Sequence, residues 1–137
     1  MASPHLEKWY TYFKSGDTDL LGPLLHEDVV FTSPVVHTPQ KGKRLTHAYL
    51  AAATDVLGSN KFSYIREFDC GSRAVLEFTC EIDGVEINGV DLIEWDNEGK
   101  IIDFKVMIRP LKAINIVHMK MGEMLAQMQA SRAAGLK

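Results

Sequence analysis

Apolar positions along the 137-residue chain recur first at helical spacing and then, from Lys61 onward, at every second residue. Ser3-Pro4 reads as a cap followed by Pro at the first helical position. Leu6, Trp9, Tyr10 and Phe13 then share one helix face, and Gly16 fits the place just past its end. Asp17 is expected to cap a second short helix that buries Leu20, Leu21, Leu24 and Leu25. Asp28 to Val36 is β-branched and apolar, a strand broken at Ser33-Pro34. After a loop from Pro39 to Gly42, Leu45, Tyr49, Ala52, Ala53 and Val56 mark a third helix, closed by Gly58.

Four long strands follow, over Lys61–Phe68, Arg73–Asp83, Val85–Trp95 and Lys100–Arg109. Their connections are short, and Asp83-Gly84 between alternating segments is a strong hairpin signal. They predict an antiparallel meander. Pro110 opens a last helix with the stripe Leu111, Ile114, Val117, Met121, Leu125 and Met128, and the end from Ser131 to Lys137 is expected to fray. The order is that of an α+β layer fold, helices on one face of a curved antiparallel sheet, in a single domain over 1–137. A bent sheet covered on its concave side encloses a cavity suited to a small molecule.

Composition narrows the class. The chain is 46% hydrophobic and 24% charged, with a net charge of -3. That excludes a disordered, collagenous or membrane-spanning chain and gives no attraction to nucleic acid or an anionic membrane. The opening Met1-Ala2-Ser3-Pro4-His5-Leu6-Glu7-Lys8 has no apolar run, so no secretory signal is read and a cytoplasmic location is expected. Cys70 and Cys80 lack framework spacing and are read as reduced.

Asp91 is the most informative residue. Alternation places Gly89, Asp91, Ile93 and Trp95 on one strand face, with Val90, Leu92 and Glu94 on the other. Both faces are largely apolar, so the carboxyl should lose hydration and its pKa should rise. Such a group serves as general acid, general base or donor to an oxyanion. Two readings stand side by side: this one, and an Asp paired with an Arg or a backbone donor. His37, bracketed by Pro34 and Pro39, is a candidate proton carrier at the pocket mouth or a surface loop residue. Trp9, Phe13, Phe31, Tyr49, Tyr64, Phe78 and Phe104 are candidate cavity lining, or ordinary core. Phe104, Val106 and Ile108 suit the concave face, beside Ile93. No partner at metal spacing surrounds any His, so no metal site is expected. The outer sheet residues Val90, Leu92 and Met107 are apolar enough to suggest a subunit contact, or cover by the Met-rich last helix.

These features resemble the nuclear transport factor 2-like superfamily, more closely its branch of ketosteroid isomerases and SnoaL-like polyketide cyclases. The residues that carry the resemblance are Gly16-Asp17, Leu24 to Phe31, Ser33-Pro34-Val35, Gly42, and Gly89 to Asp96 running into Gly99-Lys100-Ile101. The resemblance implies a cone: a strongly curved antiparallel sheet wrapped round N-terminal helices, with an apolar pocket at one end. It also implies pairing of two copies through the outer face of the sheet. Proton transfer of the kind expected at Asp91 requires no cofactor, so none is expected. The isomerase's oxyanion-donating Asp falls on Asp91. Its general base falls on Ser33, which cannot act as a carboxylate, and its helix-one Tyr falls near Trp9. The cyclase acid position falls on Lys105, and no Asp-Arg-Asp set of the superfamily's epoxide hydrolases can be assembled. Ketosteroid isomerase activity itself is therefore not expected. The sequence is read as a pocket protein that binds or converts a small apolar or polycyclic carbonyl compound by proton transfer. The alternative is a non-catalytic ligand-binding or dimerisation module of the same fold.

Overall fold

The computed structural model describes residues 3–58 and 61–135. Helix α1 spans Pro4–Ser15, with Pro4 at its start, and ends in Gly16 at φ 67, whose N–H reaches the Tyr12 carbonyl. Its buried residues are Leu6, Trp9 and Tyr12, while Tyr10 and Phe13 are partly covered. The expected second helix is instead two 3₁₀ turns, Thr18–Leu20 and Gly22–Leu24. The Asp17 side chain caps the first turn by accepting the Asp19 N–H. Pro23 has no N–H to continue a helix, and the turns leave Leu20 41% exposed while Leu21 is buried.

Strand β1 (Leu25–Thr32) therefore begins three residues before Asp28 and stops ahead of Ser33-Pro34, short of Val36. Strand β2 is the pair Gln40–Lys41, and helix α2 covers Lys43–Leu57. Strands β3 (Ser63–Asp69), β4 (Arg73–Ile82), β5 (Val85–Trp95) and β6 (Ile101–Arg109) form the predicted antiparallel meander. The β4–β5 hairpin turns on Asp83 and Gly84, both at positive φ, as a two-residue turn between twisted strands requires.

The sheet has the order β2-β1-β6-β5-β4-β3. It is not wholly antiparallel: β1 runs parallel to β6. No hairpin joins those two strands, so no turn dictates their relative direction. Register shifts in β1, β3 and at Glu94/Trp95 bend the sheet, which stays open. Its concave face buries Leu76, Phe78, Ile87, Asp91, Ile93, Phe104 and others beneath α1 and α2. On the convex face, Arg66, Glu77, Asn88 and Arg109 are linked by hydrogen bonds beside half-buried Val90 and exposed Met107.

Helix α3 (Leu111–Gly135) packs on α2 and on β5 and β6 through Ala113, Val117 and Met121. Leu111, placed in the predicted stripe, is 71% exposed. The backbone stays helical past Ser131, where fraying was expected; Leu136 and Lys137 lie outside the described residues. No helix among the described residues is long and apolar enough to cross a membrane.

Candidate functional site

Alternation along β5 turns Asp91 inward, between Leu76 of β4 and Val106 of β6. The residue is 6% exposed. From β3, beyond β4, Tyr64 donates its hydroxyl proton to Asp91 Oδ2 at 2.7 Å. From α1, the Trp9 indole N–H donates to the Tyr64 oxygen at 3.1 Å. An indole N–H can only donate, so the Tyr64 oxygen must accept there, and its own proton is left for Asp91. The result is a directed chain from Trp9 through Tyr64 to one carboxyl oxygen. Among the described residues no hydrogen bond reaches the other oxygen, Oδ1.

Burial pushes the Asp91 carboxyl up from 3.8 to about 7, against the opposing pull of the Tyr64 hydrogen bond. Burial also raises the Tyr64 phenol well above its ordinary value, with the adjacent Asp91 charge adding to the effect. Tyr64 thus stays protonated while Asp91 titrates near neutrality. A carboxyl so poised accepts and returns protons with little driving force lost in either direction.

Asp91 and Tyr64 face an apolar cavity of about 30 Å³, lined also by Trp9, Phe13, Leu50, Ala53, Thr54, Leu57, Phe62, Phe78, Phe104 and Val106. That is room for a few water molecules, not for a drug-sized ligand. The Thr54 hydroxyl is already committed, to the Leu50 carbonyl and the Tyr12 hydroxyl, each at 2.8 Å. Asp91 Oδ1 is therefore the free polar atom of the lining.

Of the candidates read from the sequence, Trp9, Phe13, Tyr64, Phe78, Asp91, Phe104 and Val106 meet at this cavity. Phe31 and Tyr49 do not; they pack against each other at 5.8 Å, with Phe31 behind Phe104 at 6.2 Å. Ile93 is buried in the core away from the lining. His37, Ser33 and Ile108 line a separate surface depression of about 560 Å³ with Lys105. His37 is thus not brought to Asp91, because β1 ends before its loop and that loop runs along a different part of the surface. Ser33 spends its hydroxyl on the Val35 N–H at 3.1 Å.

Leu50, Thr54, Leu57 and Phe62 were missed. The first three follow a helical period in α2, but the predicted stripe was rotated toward Leu45, which is 47% exposed. Phe62 falls within the predicted strand Lys61–Phe68, two residues before Tyr64, but β3 begins only at Ser63, so it belongs to no element. Among the described residues no group of three His, Cys, Asp or Glu could hold a metal ion.

An open, curved α+β sheet with helices over its concave face is the fold of the nuclear transport factor 2-like class. Within it, the chain belongs to the SnoaL-like domain family, whose sequence profile matches residues 6–104. It is similar to a steroid delta-isomerase from Pseudomonas aeruginosa, with a TM-score of 0.80, 33% identity, and 95% of this chain and 92% of that chain covered. It is similar at the same TM-score of 0.80 and 28% identity to an uncharacterized bacterial protein with a cystatin-like fold from Silicibacter pomeroyi, over 97% of this chain and 90% of that one. A ketosteroid isomerase-like fold protein from Catenulispora acidiphila, in complex with trimethylamine, shares the fold at TM-score 0.62 and 12% identity, over 83% and 91% of the two chains. No curated protein matches the chain.

Proposed function

We propose that this protein converts a small apolar carbonyl compound by moving a proton on and off carbon, with Asp91 as the carrier. The observation that supports it is the Asp91 carboxyl: it lines an apolar cavity, one oxygen is tied to Tyr64, the other accepts no hydrogen bond among the described residues, and it titrates near neutral pH. In the ionised form, Oδ1 takes a proton from the carbon next to the carbonyl, and the electron pair moves onto the carbonyl oxygen as an enolate. Oδ1 then returns the proton at a conjugated carbon, which completes an isomerisation. Tyr64 holds Oδ2 throughout and steadies the carboxylate. The similarity to a steroid delta-isomerase supports this class of reaction. Steroid isomerisation itself is not proposed, because no second carboxylate lines the cavity and Ser33 lies elsewhere.

The Tyr64 and Trp9 donors are already engaged, so neither is free to hold the enolate. The reading therefore favours substrates whose enolate is stabilised internally, such as β,γ-unsaturated cyclic ketones. The test follows the ultraviolet absorbance of the conjugated enone formed from such a ketone. Wild type should accelerate its appearance, and Asp91→Asn should lose that acceleration by about a hundredfold or more. Equal rates for the two proteins would favour a second reading, a non-catalytic binding or dimerisation module. The observation behind that reading is the small volume of the cavity, about 30 Å³.

A further inference from the structure

Phe62 is the lining residue held by no helix or strand: it comes just before Ser63, the first residue of β3 to pair. Its ring lies nearly flat on Phe78, with centroids 5.2 Å apart and planes 19° from parallel. It meets Tyr64 edge-on at 4.9 Å and Phe13 at 4.6 Å. These contacts describe a flat ring seated in a slot.

The walls of that slot, unlike its occupant, are built on regular elements. Phe13 is on α1, Tyr64 on β3 and Phe78 on β4. Phe78 is fixed from behind by Gly89: a Cβ at that position would lie 2.6 Å from the Phe78 ring. The missing side chain at Gly89 lets Phe78 settle at this depth. Asp91 lines the same site, and its Oδ1 accepts no hydrogen bond among the described residues. The cavity is small, and a ring of the protein's own occupies the slot beside it.

We propose that Phe62 is a displaceable plug, and that a ligand's planar ring takes its place on Phe78 with one ligand oxygen directed at Asp91. This deepens the reading of Asp91 given above and rests on it only for the oxygen contact; the stacking slot stands on the aromatic geometry. It narrows the ligand to a flat aromatic or conjugated ring with one oxygen at its edge, a phenol or a cyclic enone. A puckered saturated ring of the same skeleton cannot lie on Phe78 as Phe62 does.

The test uses β-naphthol, read by its own fluorescence, against β-decalol, its saturated and puckered counterpart, read by competition. Wild type should bind β-naphthol. Phe62→Ala, which has no ring to displace, should bind it about tenfold more tightly, one aromatic contact's worth. In both proteins β-decalol should bind at least about tenfold more weakly than β-naphthol. Binding to Phe62→Ala with none to wild type would overturn the proposal, since Phe62 would then be a core ring and the variant an artificial cavity. Equal affinity for the two compounds would also overturn it. If Phe62→Ala does not fold, Phe62→Leu serves as the second variant, and the comparison of the two compounds on wild type remains decisive. Asp91→Asn separates the two ideas. β-Naphthol affinity unchanged by Asp91→Asn and by pH would remove Asp91 as the anchor while leaving the slot. Absence of β-naphthol binding would remove the slot whatever the titration of Asp91.

Discussion

The Tyr64 hydroxyl donates to Asp91 Oδ2 at 2.7 Å across two strands that are not neighbours, β3 and β5, with β4 between them. The bond opposes the effect of burial on the same carboxyl. Removing it should leave burial unopposed. Tyr64→Phe is therefore expected to raise the Asp91 pKa above its value of about 7. A carboxyl-carbon NMR titration, with Asp91→Asn to assign the resonance, checks this. A lower pKa in the variant would mean that water replaces the phenol and hydrates the carboxylate.

The same carboxyl should make stability depend on pH. Its folded pKa of about 7 lies above the ordinary value of 3.8, so the native state keeps a proton that the unfolded chain has released. The stabilising contribution is complete below about pH 4 and is lost as pH rises to about 7, by up to about 1.4 kcal/mol per pH unit. Over the whole window the loss is about 4 kcal/mol as an order of magnitude. Asp91→Asn lacks this titration. Its stability relative to wild type should grow between about pH 4.5 and 7.5, measured by urea unfolding. A difference that does not change with pH would show that Asp91 is ionised in the folded protein throughout.

Gly89→Ala tests the seating of Phe78. The added methyl would lie 2.6 Å from the Met107 carbonyl oxygen and 2.6 Å from the Phe78 ring. The ring can shift only into the cavity, and the β6 backbone can hardly shift at all. Overpacking of this kind costs about 1–3 kcal/mol, and the backbone contact puts this site at the upper end. The urea midpoint should fall accordingly. An unchanged midpoint would mean that β5 and β6 separate there at little cost.

The two cysteines should differ in reactivity. Cys70 is exposed; Cys80 is buried on the concave face, and burial pushes its thiol up to about 11. The thiolate is the reactive form, so a chromogenic disulfide reagent near pH 8 should label one thiol quickly in the folded protein and the second only in denaturant. Rapid labelling of both would show that the β4–β5 end of the sheet opens readily.

Much of the fold was legible because it follows from local preferences. Positive φ at Asp83 and Gly84 suits a two-residue hairpin, and strict alternation through Gly89, Asp91, Ile93 and Trp95 puts all four on the buried face. The lowered hydration of Asp91 followed from that alternation alone. Leu20 and Leu45 were misplaced because spacing defines a stripe but leaves its rotation open by a residue or so, and Pro23 breaks the first of those stripes.

Other features depended on which element lies opposite which. Nothing local in β1 says that it runs parallel to β6, since the two are joined through α2 and four strands. Tyr64 was one aromatic among several until the curved sheet brought its hydroxyl to Asp91. His37 is near Ser33 in sequence and lies in the depression with it, away from the cavity. Phe62, one more aromatic of an alternating segment in the sequence, lines the cavity and stacks on Phe78. The sequence by itself determined the order of elements, the inward direction of Asp91 and the apolar character of its surroundings, because backbone preference and side-chain period act over a few residues. Only the tertiary structure decided the partner of Asp91, the size of the cavity and its occupant, because those depend on distances between segments that the chain brings together only when the sheet bends over its helices.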